Sequence, residues 1–273
     1  MRGEFVEIGQ HRLYYYAAGS RGQGDPVVLI HGFPTTSHLW SNLVSLLPKG
    51  HRIIVPDLLG FGRSDLGDGA DMAIAGHARR VVGLLDVLGI RRACIAGHHL
   101  GAAIAGTVAA RASDRVTHLA LLHPLAGDVT FAGTLAVLRA SLPFVRVVPA
   151  PAFRASLRRE LSRWYADPAR ARPSIDQYLA GLLKAPRWRA FLRQLAAVDA
   201  RDMLEFTSEL RSVQCPVAIV ASGHDPAVPR VALDHIRGAL PAAALDIVTH
   251  ARHFTPEESP EQVAGAIARL LVS

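Results

Sequence analysis

The hydrophobic pattern along the chain switches between two periods. "PVVLIHG" (26–32), "HRIIVPD" (51–57), "ACIAG" (93–97), "VTHLALLHP" (116–124), "CPVAIVASG" (215–223) and "ALDIVTH" (244–250) are short, mostly unbroken apolar runs. Runs of this length without polar alternation predict strands covered on both faces, as in a parallel sheet. Residues 5–8 and 12–18 predict a hairpin ahead of them. Between the runs the spacing becomes helical. Helices are expected over Ser37–Leu47, over 73–89, from His99 to Arg111, over 231–239 and over 258–271. In the second of these, Val81, Leu84, Leu85 and Leu88 share one face and Gly89 supplies the stop.

The rhythm fails once. From 125 to about 210 no strand is predicted; helical stretches near 132–141, 152–165, 174–184 and 187–197 are broken by Pro143, Pro149, Pro151, Pro168, Pro173 and Pro186. A strand–helix alternation interrupted by one helical block predicts a doubly wound, mostly parallel α/β sheet with an inserted helical cap. The expected division is a core of 1–124 and 211–273 and a cap, or lid, of 125–210.

Composition adds three constraints. A chain of 273 residues, 50% of them hydrophobic, suffices for one large core, and no apolar run approaches the roughly 20 residues of a membrane helix. The N-terminal stretch has no secretory pattern, so a soluble cytoplasmic protein is expected, with no membrane partner. Cys94 and Cys215 each open an apolar run, which fits buried strand residues and not a disulfide framework or a zinc site. The net charge of +7 is concentrated between Arg146 and Arg193, where eleven Lys or Arg face three acids, Glu160, Asp167 and Asp176. The plain reading is a solvated helical face. The sharper one is a docking surface for an acidic carrier protein or a coenzyme A thioester. No nucleic-acid motif accompanies the charge, and oligomeric state is left open.

The chemistry centres on "AGHHLG" (96–101), where Gly97-x-x-x-Gly101 between a strand and a helix has the spacing of a nucleophile elbow. Other motifs stand in register with it: "HGFP" (31–34), "PDLLGFGRSD" (56–65), "SGHDPAVP" (222–229) and "HARHFTPEESPEQV" (250–263). Together they resemble the α/β-hydrolase superfamily over nearly the full length, in its cap-bearing epoxide hydrolase, dehalogenase and esterase branch. The resemblance implies an acid at Asp225 and a base at His253, in the superfamily's order. It implies an oxyanion hole from the backbone N–H groups of Phe33 and Leu100. His31 and His98 are expected to be structural. The superfamily places Ser or Asp at the elbow centre. This chain has His99.

A neutral imidazole at an elbow can attack an acyl group or act as a general base. Its reach favours the base, because the ring nitrogen intrudes where a substrate carbonyl carbon would sit. The helix N-terminus and a nearby His253 both disfavour a charged His99, whereas Asp225 is expected to favour a proton on His253. The expected function is hydrolysis of a small, largely apolar ester, thioester, lactone or epoxide by His99/His253 acid–base chemistry. A non-hydrolytic lyase, cyclase or isomerase and a ligand-binding pseudoenzyme are the alternatives. No cofactor and no metal are expected: His98 and His99 should diverge, and no zinc-site spacing occurs. His123 and the cap residues Trp164, Tyr165, Tyr178 and Trp188 are the candidate pocket walls. The resemblance to epoxide hydrolases gives Tyr165 and Tyr178 a further candidate role as donors to an epoxide oxygen.

Overall fold

The computed structural model describes residues 3–20, 22, 24–128, 133–140, 150–180, 182 and 185–273. Strands β1 (Gly3–Ile8) and β2 (His11–Gly19) form the hairpin expected from the sequence. They are followed by β3 (Val27–Ile30), β4 (Arg52–Pro56), β5 (Ala93–His98), β6 (Val116–Leu122), β7 (Val217–Ser222) and β8 (Ala244–Val248). The sheet order is β1-β2-β4-β3-β5-β6-β7-β8, antiparallel in its first two pairings and parallel from β4 onward. All of β3 and β5 is buried, which is why those strands carry apolar residues on both faces.

Helices α1 (Ile74–Val87) and α2 (Leu100–Arg111) pack together beside the parallel strands. A continuous apolar cluster joins both to the sheet. Between β6 and β7 in sequence come α3 (Gly133–Ala140), α4 (Ala150–Arg163), α5 (Pro168–Leu179), α6 (Ala185–Ala197) and α7 (Ala200–Glu209); after β7 come α8 (Arg230–Ala239), α9 (Thr255–Glu258) and α10 (Pro260–Leu270). Among the described residues, no helix is long and apolar enough to cross a membrane.

The local departures from expectation have local causes. Ser37–Leu47 forms two short 3-10 turns, Ser37–Trp40 and Val44–Leu46. The stretch expected near 174–184 begins earlier. Asp167 caps α5 by accepting from the Ala169 N–H, and Pro168 at the first turn needs no donor there. The helix continues through Pro173, which the sequence reading took as a break. Helix α7 was not anticipated; Asp199 caps it through the Asp202 N–H. The 258–271 helix is split, because Pro260 opens α10 with the preceding Ser259 outside the helical backbone region. Positions 132, 141 and 184 of the expected helices, and Pro143, Pro149, Arg146 and Lys184, lie outside the described residues.

Among the polar ties between the inserted helices and the rest of the chain, one is buried and a second is partly exposed. His77 of α1 donates Nε2–H to Gln194 Oε1 of α6 at 2.7 Å, and Gln194 Nε2 donates to the Met72 carbonyl at 3.0 Å. The second tie runs along the segment 252–258. Its backbone and side chains bind residues 163–166 and Tyr178, as described next.

Candidate active site

The parallel register sets the C-terminal ends of β3, β5, β6 and β7 side by side: Ile30 pairs with Gly97, His98 with Leu122, and Leu122 with Val220. The loops leaving these ends converge at one rim, where α/β sheets build their sites. One residue, His99, makes the whole turn from β5 to α2, at φ 53° and ψ −115°. A non-glycine residue there is strained and persists only where its surroundings hold it. Those surroundings are visible. The His99 N–H donates to the Leu122 carbonyl at 2.9 Å. A Cβ on Gly97 would strike the Gly101 carbonyl, and one on Gly101 would strike those of Ile30 and His31. The Gly97–Gly101 spacing is therefore a packing requirement of the elbow. Gly32 is equally confined: a Cβ there would lie 2.8 Å from that of His99.

His253 faces His99, with ring centroids 5.0 Å apart and planes at 88°. Both rings are buried, at 0% and 1% exposure. His253 Nδ1–H donates to Asp225 Oδ2 at 2.9 Å, and its Nε2 has no hydrogen-bond partner. The loop that carries it is pinned twice. The His253 N–H donates to the Trp164 carbonyl at 3.0 Å, and His98 donates Nε2–H to the His253 carbonyl at 2.9 Å. His98 therefore diverges from His99 and props the histidine loop from beneath. His31 is likewise satisfied, between the Gly32 carbonyl at 2.8 Å and the Leu58 N–H at 2.9 Å.

Asp225 holds more than the sequence indicated. Its Oδ1 accepts the N–H groups of Ala227 (2.7 Å) and Val228 (3.1 Å). Its Oδ2 accepts a second imidazole besides His253: His123 Nδ1–H, at 2.6 Å. His123, at φ 47°, closes β6 and accepts from Thr255 Oγ1–H at 3.1 Å through Nε2. Its sequence signal was its place at a strand end. Its partner depended on β6 and β7 being neighbours, which the sequence order alone does not reveal. His123, Asp225 and His253 bring their ligating atoms within 4.8 Å of one another, the group among the described residues that most resembles a metal site. Each Nδ1 lies at hydrogen-bond distance from one carboxylate oxygen, Asp225 Oδ2.

Burial dominates the ionisation of the cluster. It pushes His99 well below the ordinary imidazole value. The neighbouring His253 and His123 push the same way against the opposing pull of Asp225. His98 moves in the same direction, again chiefly through burial. At His253 the expected pull of Asp225 toward a proton is present, but burial outweighs it, so this imidazole too is lowered. Burial alone would raise Asp225. The imidazoles of His253 and His123 overcome it and hold the carboxyl well below the usual carboxylate range. At neutral pH the arrangement is one carboxylate and neutral imidazoles at His98, His99 and His253, with a proton-accepting Nε2 on His253.

The aromatic candidates divide. Trp164 lies over both site rings, 5.1 Å from His253 and 6.4 Å from His99. Trp188 packs instead on Phe153 and Phe191, and Phe191 stacks on Phe33 at 4.8 Å. Tyr165 and Tyr178 are buried and both donate to Glu257, the former at 3.1 Å to Oε2 and the latter to Oε1. Their hydroxyls thus tie α9 to the inserted helices, in place of the role that the resemblance to epoxide hydrolases would give them. Glu258 completes this seam by accepting the N–H groups of Ala166 and Arg252, at 2.5 and 3.0 Å. The sequence reading missed Glu257 and Glu258, since two acids at a helix start look like an ordinary solvated first turn. Leu100, the first residue of α2, offers one of the N–H groups that a helix leaves ahead of its own hydrogen-bond ladder; Phe33 lies in the adjoining 31–34 loop.

This elbow, rim and sheet order define an α/β-hydrolase. The chain belongs to the α/β-hydrolase fold family, whose model matches residues 25–260. It is similar to haloalkane dehalogenase 2 of Mycobacterium tuberculosis, 30% identical over 281 residues, which cover 96% of this chain and 92% of that one. It is also similar to the dihydrolipoyllysine-residue acetyltransferase component of the acetoin cleaving system of Pseudomonas putida, 32% identical over 94% of this chain. The match spans about two thirds of that relative's length, 66%. Among solved structures, an α/β-hydrolase fold protein from Burkholderia ambifaria superposes with a TM-score of 0.87 at 24% identity, covering 97% of both chains. The enol-lactonase from Burkholderia xenovorans LB400 does so at 0.82 and 20% identity, covering 99% of this chain and 100% of that one. These likenesses carry the fold.

Proposed function

We propose that the protein hydrolyses a small, largely apolar ester, thioester, lactone or epoxide, using His99 and His253 as a coupled acid–base pair. The observation that supports this most is the state of His253: Nδ1–H fixed on Asp225, Nε2 without a partner, and the His99 ring perpendicular to it at 5.0 Å. In this reading the pair takes a proton from water as the water adds to the substrate carbon. The proton comes to rest on His253, because that ring has Asp225 hydrogen-bonded to it and its imidazolium is the better stabilised of the two. His99 holds the water at the elbow and relays the proton. The N–H groups of Phe33 and Leu100 receive the developing oxyanion, and His253 returns its proton to the leaving atom, oxygen in an ester, lactone or epoxide and sulfur in a thioester. The block of residues 125–210 acts as the cap over this site, with Trp164 as the cap residue that reaches it.

The test is turnover on a panel of esters, thioesters, lactones and epoxides. His99→Ala is expected to lower kcat/KM by roughly 10²–10⁴, the usual contribution of a positioned base. His99→Gln, close in reach but unable to take a proton at neutral pH, should lose nearly as much. The parent rate should rise with pH through a His99 pKa below the ordinary value near 6.5. A glutamine variant as fast as the parent would make His99 a shape-filling residue. Ligand binding with no turnover by the parent on any member of the panel would make the protein a binding protein.

A further inference from the structure

A cleft of about 360 Å³ is lined by Pro34 to His38, Asp57 and 60–63 of the sheet loops together with Tyr178 and Arg187 of the inserted helices. Gly32, in the same loop as Pro34 to His38, packs against His99. The acid–base chemistry above makes no use of it. Its volume is that of a small-molecule site. Its lining is polar and includes two guanidinium groups, Arg63 and Arg187.

Arg187 comes from α6 and is half-buried in the cleft wall; its Nη1 is enclosed by protein, and no hydrogen bond or ion pair with a described residue engages its guanidinium. A guanidinium keeps its charge at any physiological pH, so one that no described residue pairs leaves its accessible donors to an acceptor brought by a ligand. Arg63 is held in place at the same cleft. Its guanidinium carbon lies 4.9 Å from the centroid of the Tyr14 ring, and its Nη1 donates to the Tyr14 hydroxyl at 3.1 Å. Among the described lining residues the sole carboxylate is Asp57, and it is engaged with backbone. Oδ1 accepts the Ser37 N–H at 2.7 Å and Oδ2 the Arg63 N–H at 2.8 Å. The collision that a Cβ on Gly62 would make with this carboxylate shows how closely it is packed. The cleft therefore presents two positive forks against one carboxylate that is already spent on the loop.

We infer that this cleft binds a small organic or inorganic anion, a carboxylate or a phosphate, with Arg187 as its main contact and Arg63 at the mouth. Oxyanions match the planar donor fork of arginine, and such charge-assisted bonds are the strong ones. Because the cleft is walled by the loop that carries Phe33, an occupant also braces the backbone beside the elbow.

The experiment is calorimetric titration of the full chain, at fixed ionic strength in chloride, with inorganic phosphate in one arm and butyrate and phenylacetate in the other. The arm that binds names the source of the anion. Arg187→Gln should weaken that binding by about 10- to 100-fold, the effect of losing a charge-assisted pair. Arg63→Gln should weaken it less. In the absence of anion, Arg187→Gln should melt no lower than the parent, because it removes a charge that lacked a partner. Arg187→Lys keeps a charge but loses the fork; it should lose affinity by about 3- to 30-fold and serves if the glutamine variant is too unstable to titrate. A parent that binds neither phosphate nor carboxylate above the chloride background overturns the inference, as does undiminished affinity in the Arg187 variants. Neither outcome depends on turnover at His99.

Discussion

Asp225, whose carboxyl is buried, and Glu257, which is half-buried, both stand beside the His253 loop, and their acidities move in opposite directions. Burial pushes each upward. Asp225 meets two imidazole N–H groups and two backbone N–H groups, and it ends well below the usual range. Glu257 meets the weaker donors Tyr165, Tyr178 and Ser174 and stands beside the carboxyl of Glu258, so burial prevails and it ends above the ordinary glutamate value. The number and strength of donors, more than depth, decide which carboxyl stays charged. The consequence is a division of labour. The carboxylate at the site is a fixed anion that orients histidines. The one at the seam is a carboxyl that holds its proton more tightly than an ordinary glutamate and fastens the inserted helices to the histidine loop.

The most severe way to break this contrast is Asp225→Ala. It leaves two imidazole and two backbone N–H groups buried without an acceptor, and should lower unfolding stability by about 3–5 kcal/mol, measured by urea denaturation. Turnover should vanish with it. A loss under 1 kcal/mol would mean that the four donors find other acceptors.

Acid comes next. His31, His98, His99 and His253 are held below the ordinary imidazole value, chiefly by burial, and His77 is pushed down to about 4. In the unfolded chain these rings gain protons as pH falls below about 6.5, while in the folded chain they stay neutral. The unfolded state then binds more protons, and stability falls. The slope should reach at least about 1.4 kcal/mol per pH unit below 6.5, one proton's worth, and exceed it if several rings respond together. Asp225 adds its own loss only further down, as pH drops below the ordinary aspartate value near 3.9. Melting temperatures that stay level from pH 7 to 5 would contradict the neutral assignments.

Much of this was legible in the sequence, for reasons that can be traced. The elbow was readable because Gly97 and Gly101 are forced by collisions with backbone, and such collisions leave an unambiguous residue type behind. The Asp225–His253 pairing followed from loop order. What stayed hidden depended on three-dimensional neighbours. His123 reaches Asp225 because β6 and β7 adjoin in the sheet. Glu257 is half-buried because Tyr165 and Tyr178 close over it, and nothing in "TPEE" marks it as different from an exposed helix start. Pro173 read as a break because the local rule ignores a helix already anchored by the Asp167 cap and by Ile175, Tyr178 and Leu179 in the core. The pull of Asp225 on His253 was foreseen, but the burial that outweighs it was not.

Smaller perturbations sharpen the seam's side of the comparison. Glu257→Ala removes the acceptor of two buried tyrosine hydroxyls and should destabilise by about 1–3 kcal/mol. Because the folded chain holds the Glu257 proton more tightly than the unfolded one, this group's contribution to stability declines as pH rises from near 4.5 through the raised value, against the opposite trend of the histidines. Glu257→Gln should flatten that decline while losing about 1 kcal/mol or less, and Tyr178→Phe should lose about 1 kcal/mol. Melting curves between pH 5 and 8 distinguish these variants. A glutamine variant whose stability difference from the parent stays constant with pH would place the contribution at another group.

The most direct measurement is the long-range ¹H–¹⁵N correlation spectrum of the histidine rings at pH 7, assigned with His99→Gln and His253→Gln. The account predicts neutral imidazoles at both positions, with the His253 proton on Nδ1 facing Asp225, and any titration of either ring centred below the ordinary value near 6.5. An imidazolium pattern at either ring at pH 7, or a His253 proton on Nε2, would contradict it.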